Sequence, residues 1–120
     1  MLTITKKFEF AYAHLLPNYE GKCRNLHGHN AVLEVEVSGP PINRQNVYPT
    51  MVCDFGDLKG IVDTEIINKL DHKHLNDIME YPTAETMCQW IWNRLFVVFG
   101  KRLERVRIYE TSNSYAEVKR

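Results

Sequence analysis

The stretch "HNAVLEVEVSG", residues 29–39, constrains the fold of this chain more than any other. Leu33, Val35 and Val37 take one parity and Glu34 and Glu36 the other. Residues two apart share a face in an extended strand, so the segment reads as a strand with one apolar and one charged side. Gly39, Pro40 and Pro41 are expected to stop it. A second alternation precedes it. The even positions hold Leu2, Ile4, Phe8, Phe10, Tyr12 and His14, with Lys6 the exception, while Thr3, Thr5, Lys7 and Glu9 fall on the odd ones. Two strands that are apolar on one side need a second layer to cover them.

Two helical stretches supply that layer. Asp54 is placed to cap the first, in which Leu58, Ile61, Val62, Ile66 and Leu70 recur at helical spacing. Pro82 and Thr83 open the second, whose stripe is Ala84, Met87, Cys88, Ile91, Leu95 and Val98, with Gly100 as its stop. The chain closes with "RVRIYE" and "YAEVK", two alternations separated by the turn formers "TSNS". The expected architecture is α+β, a ββααββ order giving a four-stranded, mainly antiparallel sheet with two helices on one face. With 120 residues and no repeat or linker, residues 1–120 read as one domain.

Parity also sorts the histidines. His27 and His29 share the parity of Leu33, Val35 and Val37, and His14 shares that of Phe8, Phe10 and Tyr12. If neither strand is bulged, all three imidazoles extend the helix-facing side of the sheet at its edge. A His-x-His pair plus a third histidine from the neighbouring strand offers three neutral nitrogens and leaves a fourth position open, which suits Zn²⁺. Zinc is preferred to iron because no nearby carboxylate obviously completes a facial triad, although geometry alone also fits iron or nickel.

Other residues carry chemistry more ambiguously. His72 and His74 in "LDHKHLND" are competing ligands, a polar loop, or, with Asp71 adjacent, an acid/base histidine tuned by a carboxylate. Glu110 shares the parity of Val106 and Ile108, so it is either a strand end where parity has lapsed or an anchor for a ligand edge with two parallel N–H donors. Cys53 and Cys88 read as small buried hydrophobes. Cys23 differs, because Lys22 and Arg24 flank it and their charges favour a thiolate.

Fifteen basic residues balance fifteen acidic ones, so the expected partner is a small molecule rather than nucleic acid or an acidic membrane. The longest apolar run, Leu95–Phe99, is too short to span a bilayer, and "MLTITKKFEF" lacks the order of a secretory signal, so a cytoplasmic setting is expected.

Taken in order, "FAYAH", "CRNLHGHN", "DFGDLK", "LDHKHLND", "PTAE" and "YETS" resemble the 6-pyruvoyltetrahydropterin synthase family over nearly the whole chain. Within it the resemblance is nearest to the bacterial 6-carboxytetrahydropterin synthases of queuosine biosynthesis. It implies the T-fold, in which trimeric barrels stack into homohexamers with active sites at subunit contacts. It further implies that His14, His27 and His29 bind zinc, that Cys23 is the general base and that Asp71 with His72 relays protons. Glu110 would hold the pterin ring, helped by the segment around Thr83 from a neighbouring subunit. The implied substrate is 7,8-dihydroneopterin triphosphate, which Lys22 and Arg24 would meet unless they are solvated surface charge. The short Cys23 to His27 spacing favours the carboxy branch over the pyruvoyl branch.

Two rivals read the residues differently. Gly21, His27, His29 and Glu34 imitate a first cupin motif, but Glu34 has the wrong parity, no second motif follows, and two helices leave too few strands for a jelly roll. A metal-binding T-fold without catalysis would leave Cys23, Asp71 and Glu110 unused.

Overall fold

The computed structural model describes residues 1–39 and 48–120. Strands β1 (Thr3–His14) and β2 (His27–Ser38) form a long antiparallel pair whose register runs without a shift from Thr3 opposite Ser38 to His14 opposite His27. Gly39 follows β2 with a positive φ of 138°, a conformation that a side chain disfavours, while Pro40 and Pro41 lie outside the described residues.

Helix α1 (Phe55–Val62) starts at Asp54, whose side chain accepts from the Gly56 and Asp57 N–H groups. It passes through a π-helical turn, Asp63–Ile67, into the short α2 (Asn68–Leu70). Arg94 steadies this turn by donating to the Glu65 carbonyl. After the two-residue β3 (Lys73–His74), helix α3 (Ala84–Phe99) is capped by the Thr83 hydroxyl, which accepts from Thr86 N–H at 3.1 Å. Strands β4 (Leu103–Thr111) and β5 (Ser114–Lys119) then make the expected hairpin. The sheet order is β3-β1-β2-β4-β5.

One core joins the layers. Phe8, Phe10, Tyr12, Leu33, Val35, Val37, Val106 and Ile108 from the sheet pack with Leu58, Val62, Ile66, Leu70, Met87, Ile91 and Leu95 from the helices. The opposite face carries cross-strand charges. Arg105 Nε donates to Glu36 at 2.8 Å, its Nη1 to Glu34 at 3.0 Å, and Arg107 Nη2 lies 2.8 Å from Glu117. Glu34 is only 6% exposed there, covered by its partners. Among the described residues no helix is long and apolar enough to cross a membrane.

Two expectations are corrected. The sheet has five strands rather than four, because Lys73 and His74 pair in parallel with Tyr12 and Ala13, and a two-residue ladder carries no periodicity to read. Val98 is 45% exposed, and Phe99, four residues beyond Leu95, packs on the core in its place.

The connection from α2 to α3 does more than link helices. It lies along the end of β1. Asp71 Oδ1 accepts from Ala11 N–H at 3.0 Å, and His72 N–H donates to the Ala11 carbonyl at 2.6 Å. The Asn76 side chain then accepts from Leu15 N–H at 3.0 Å and donates to the Leu15 carbonyl at 2.9 Å, extending the ladder with a side-chain amide. Asn76→Leu removes both partners at the residue that follows His14. It is expected to cost about 1–3 kcal/mol for the stranded polar groups, read as a lower urea midpoint with an unchanged slope.

Candidate metal centre

The β1–β2 register places His14 directly opposite His27 and Tyr12 opposite His29. The three imidazoles therefore meet at the end of the strand pair, with ring centroids 4.6, 5.1 and 4.9 Å apart. One nitrogen from each lies within 4.8 Å of the others. His14 is 1% exposed, and His27 and His29 are partly covered.

Backbone carbonyls set the tautomers. His14 Nδ1 lies 2.7 Å from the Pro82 carbonyl and His27 Nδ1 lies 2.7 Å from the Asn25 carbonyl. A carbonyl only accepts, so both Nδ1 atoms carry the hydrogen and both Nε2 atoms of the neutral rings present lone pairs. Those two Nε2 atoms stand 3.0 Å apart. Two lone pairs at that distance repel unless a proton or a cation lies between them. His29 Nε2 is buried and makes no hydrogen bond among the described residues. Burial pushes the His29 imidazole below its ordinary range, Glu110 opposes that shift, and the neighbouring His14 and His27 reinforce it. Neutral imidazole is the ligating form, so this donor set fits a divalent metal.

A carboxylate is also present, which corrects the expectation drawn from the sequence. Glu110 Oε1 lies 3.3 Å from His14 Nε2 and 3.5 Å from His29 Nε2, and it accepts from the Tyr12 hydroxyl at 3.1 Å. Its parity did not lapse. The β4–β5 ladder shifts register between Tyr109 and Thr111, and this bulge contains Glu110. Tyr12 is the participant that motif reading passed over, although its even parity beside His14 was the signal. Burial, and then the Glu110 charge, raise the Tyr12 phenol far above its ordinary range, so it remains a donor.

The remaining candidates are dispersed. Cys23 sits half-buried in the short turn Lys22–Arg24, where its carbonyl accepts from Leu16 N–H at 2.7 Å. Asp71 and His72 pair at 2.9 Å on the β1 edge, with the His72 side chain 82% exposed and its backbone at a φ of 58°. No hydrogen bond or ion pair among the described residues joins either group to the three histidines. His74 faces Asp77 at 3.6 Å. Thr83 uses its hydroxyl as a helix cap, and the next residues, Ala84 and Glu85, border the same cleft as Glu110. Cys53 packs partly buried against the core. Cys88 is fully buried, and burial pushes its thiol up to about 11, as suits an inert core residue.

Residues 3–120 match the family described as 6-pyruvoyl tetrahydropterin synthase. The chain belongs to this family. A 6-carboxy-5,6,7,8-tetrahydropterin synthase of Synechocystis is 40% identical over 118 residues, spanning 97% of this chain and 92% of that protein. A 6-pyruvoyl tetrahydrobiopterin synthase of Dictyostelium discoideum is 38% identical over 100 residues, spanning 79% of this chain and 71% of its own. The solved 6-pyruvoyl tetrahydropterin synthase of Caenorhabditis elegans superposes with a TM-score of 0.83 at 25% identity, covering 99% of this chain and 95% of that one. The fold is therefore the T-fold of this synthase family.

Within this family member, Asp71 ties the exposed histidine to β1. The Ala11 N–H holds its carboxyl below the usual range against the opposing effect of burial, and His72 lowers it further. A depressed carboxyl stabilises the fold above the unfolded-state value of about 3.9 and loses that contribution as pH falls through its lower folded value. Asp71→Asn should flatten the acid limb of the stability curve of the metal-free protein. Denaturant unfolding between pH 2 and 6 checks it, and parallel curves for the two proteins would count against it.

Proposed function

We propose that the chain is a zinc-dependent lyase that converts 7,8-dihydroneopterin triphosphate and water to 6-carboxy-5,6,7,8-tetrahydropterin, acetaldehyde and triphosphate, with residues 1–120 acting as one domain. The observation that carries this reading is the triad His14, His27 and His29, whose ring nitrogens converge with two of the tautomers held by carbonyls. These residues would hold the metal, and three nitrogen donors with an open position favour zinc. Bound zinc supplies Lewis acidity to the side-chain hydroxyls of the substrate.

The protein's own groups do the rest. Cys23 takes the proton from the activated C–H. Asp71 accepts from His72 Nδ1 at 2.9 Å, which leaves His72 Nε2 to take up and return a proton. Glu110 borders a cleft of about 530 Å³ beside the first turn of α3, and there its carboxylate would accept two parallel N–H bonds from the pterin ring. Lys22 and Arg24 are exposed beside Cys23, where they would meet the triphosphate. The carboxy branch is supported by the Synechocystis relative aligning over 97% of the chain, against 79% for the Dictyostelium one. Three cysteines without a disulfide suit the cytoplasm.

The product decides between the branches. Incubation with dihydroneopterin triphosphate is expected to yield 6-carboxytetrahydropterin and trapped acetaldehyde in equal amounts. A chelator should abolish turnover and zinc should restore it. Cys23→Ala should lose turnover by at least about a hundredfold while retaining zinc. A pyruvoyl product without aldehyde would move the chain to the other branch, and undiminished turnover in the Cys23 variant would remove the base.

The outward-facing Asp71–His72 pair supports a shared site, because a relay so exposed needs another chain to enclose it. We infer a homohexamer, two stacked trimers. Light scattering should give six times 14.1 kDa, and a fully active monomer would refute the shared site.

A further inference from the structure

Phe8, Phe10 and Tyr12 line the buried face of β1, and of the three only Tyr12 carries a polar tip. Its ring is 3% exposed and has three aromatic neighbours, Phe10 with centroids 5.9 Å apart, His14 edge-on at 5.2 Å and His29 at 5.6 Å. A buried phenol needs a hydrogen-bond partner, and among the described residues this one has Glu110 Oε1 at 3.1 Å. The two residues stand on strands that are not neighbours, because β2 lies between β1 and β4. Adjacent strands are about 4.8 Å apart, so the bond crosses roughly 10 Å of sheet, a span that takes two long side chains.

Glu110 depends on this bond. Its side chain is 29% exposed, and its other close neighbours do not hold it. His14 Nε2, 3.3 Å from Oε1, presents a lone pair because its Nδ1 hydrogen goes to the Pro82 carbonyl. His29 Nε2, at 3.5 Å, makes no hydrogen bond among the described residues. Acceptor facing acceptor repels, so the phenol is the donor that keeps the carboxylate where it stands. No hydrogen bond or ion pair among the described residues uses Oε2, which leaves that oxygen for a ligand in the cleft. Two parallel N–H bonds require the carboxylate plane to match that of the ligand. A glutamate turns about three torsions, and fixing Oε1 removes much of that freedom before the ligand arrives.

We propose that Tyr12 is a positioning residue of the heterocycle site: its hydroxyl pins Glu110 Oε1, so the carboxylate accepts a 2-amino-4-oxo ring edge and rejects an edge with oxygen at the 2-position. This deepens the reading of Glu110 as the pterin anchor and rests on it. An amino group at that position donates beside the ring N–H and completes the pair, whereas a carbonyl there sets oxygen against oxygen. A pinned carboxylate meets that clash in full, and a loose one turns away from it.

Binding of pterin and of lumazine, the same ring with oxygen in place of the amino group, tests this on the intact, zinc-loaded protein without turnover. Wild type should prefer pterin by at least about a hundredfold in calorimetric titration. Tyr12→Phe keeps the ring and removes only the hydroxyl. It should bind pterin about tenfold more weakly, the scale of one hydrogen bond to a charged group, and lumazine at least as tightly as wild type does. In a Glu110→Ala background the same change should alter neither affinity. Lost packing would instead weaken both ligands alike and persist without Glu110, and that result would overturn the positioning role. So would unchanged pterin affinity in Tyr12→Phe beside a weakened Glu110→Ala, which would leave the anchor standing. Glu110→Ala binding pterin as tightly as wild type would overturn both.

Discussion

The unshifted pairing of β1 with β2 is the constraint on which the rest depends. Because the register runs without a bulge to the His14–His27 pair, the alternation that buries Phe8, Phe10, Leu33 and Val35 also delivers three imidazoles and Tyr12 to one spot. A one-residue slip would send every one of these side chains to the other face, among the charges of Glu34, Arg105 and Arg107. The hydrophobic core therefore sets the geometry of the three-histidine cluster.

Around that pair, the polypeptide fixes details that strand pairing leaves open. The Pro82 and Asn25 carbonyls orient two rings and choose their tautomers. The α2–α3 connection, through Asp71, β3 and Asn76, holds the end of β1 in place, so one segment both carries the proposed relay and supports the strand end that bears His14. Disturbing that connection would reach His14 through the backbone as well as His72 itself.

Much of the site was legible from parity alone. His14, His27, His29 and Glu110 each fell on an apolar parity, and a polar group on an apolar face needs a partner. The helix caps at Asp54 and Thr83 were equally readable, since a side-chain oxygen before an apolar-periodic run answers unsatisfied N–H groups. Tyr12 was on the right face but looked like core, because an aromatic ring gives no sign in sequence of where its hydroxyl ends. β3 was invisible for the opposite reason, having too few residues to show any period.

By itself the sequence determined the two-layer α+β architecture, the faces of the strands and the identity of the clustered histidines, because side-chain periodicity is a local property of the backbone. Only the tertiary structure decided that Glu110 lies against His14 and His29, that the distant Pro82 carbonyl sets the His14 tautomer, and that Cys23 and the Asp71–His72 pair stand apart from the histidines. Those relations join residues far apart in the chain. They follow from strand order, a two-residue ladder and main-chain acceptors, which side-chain patterns do not encode.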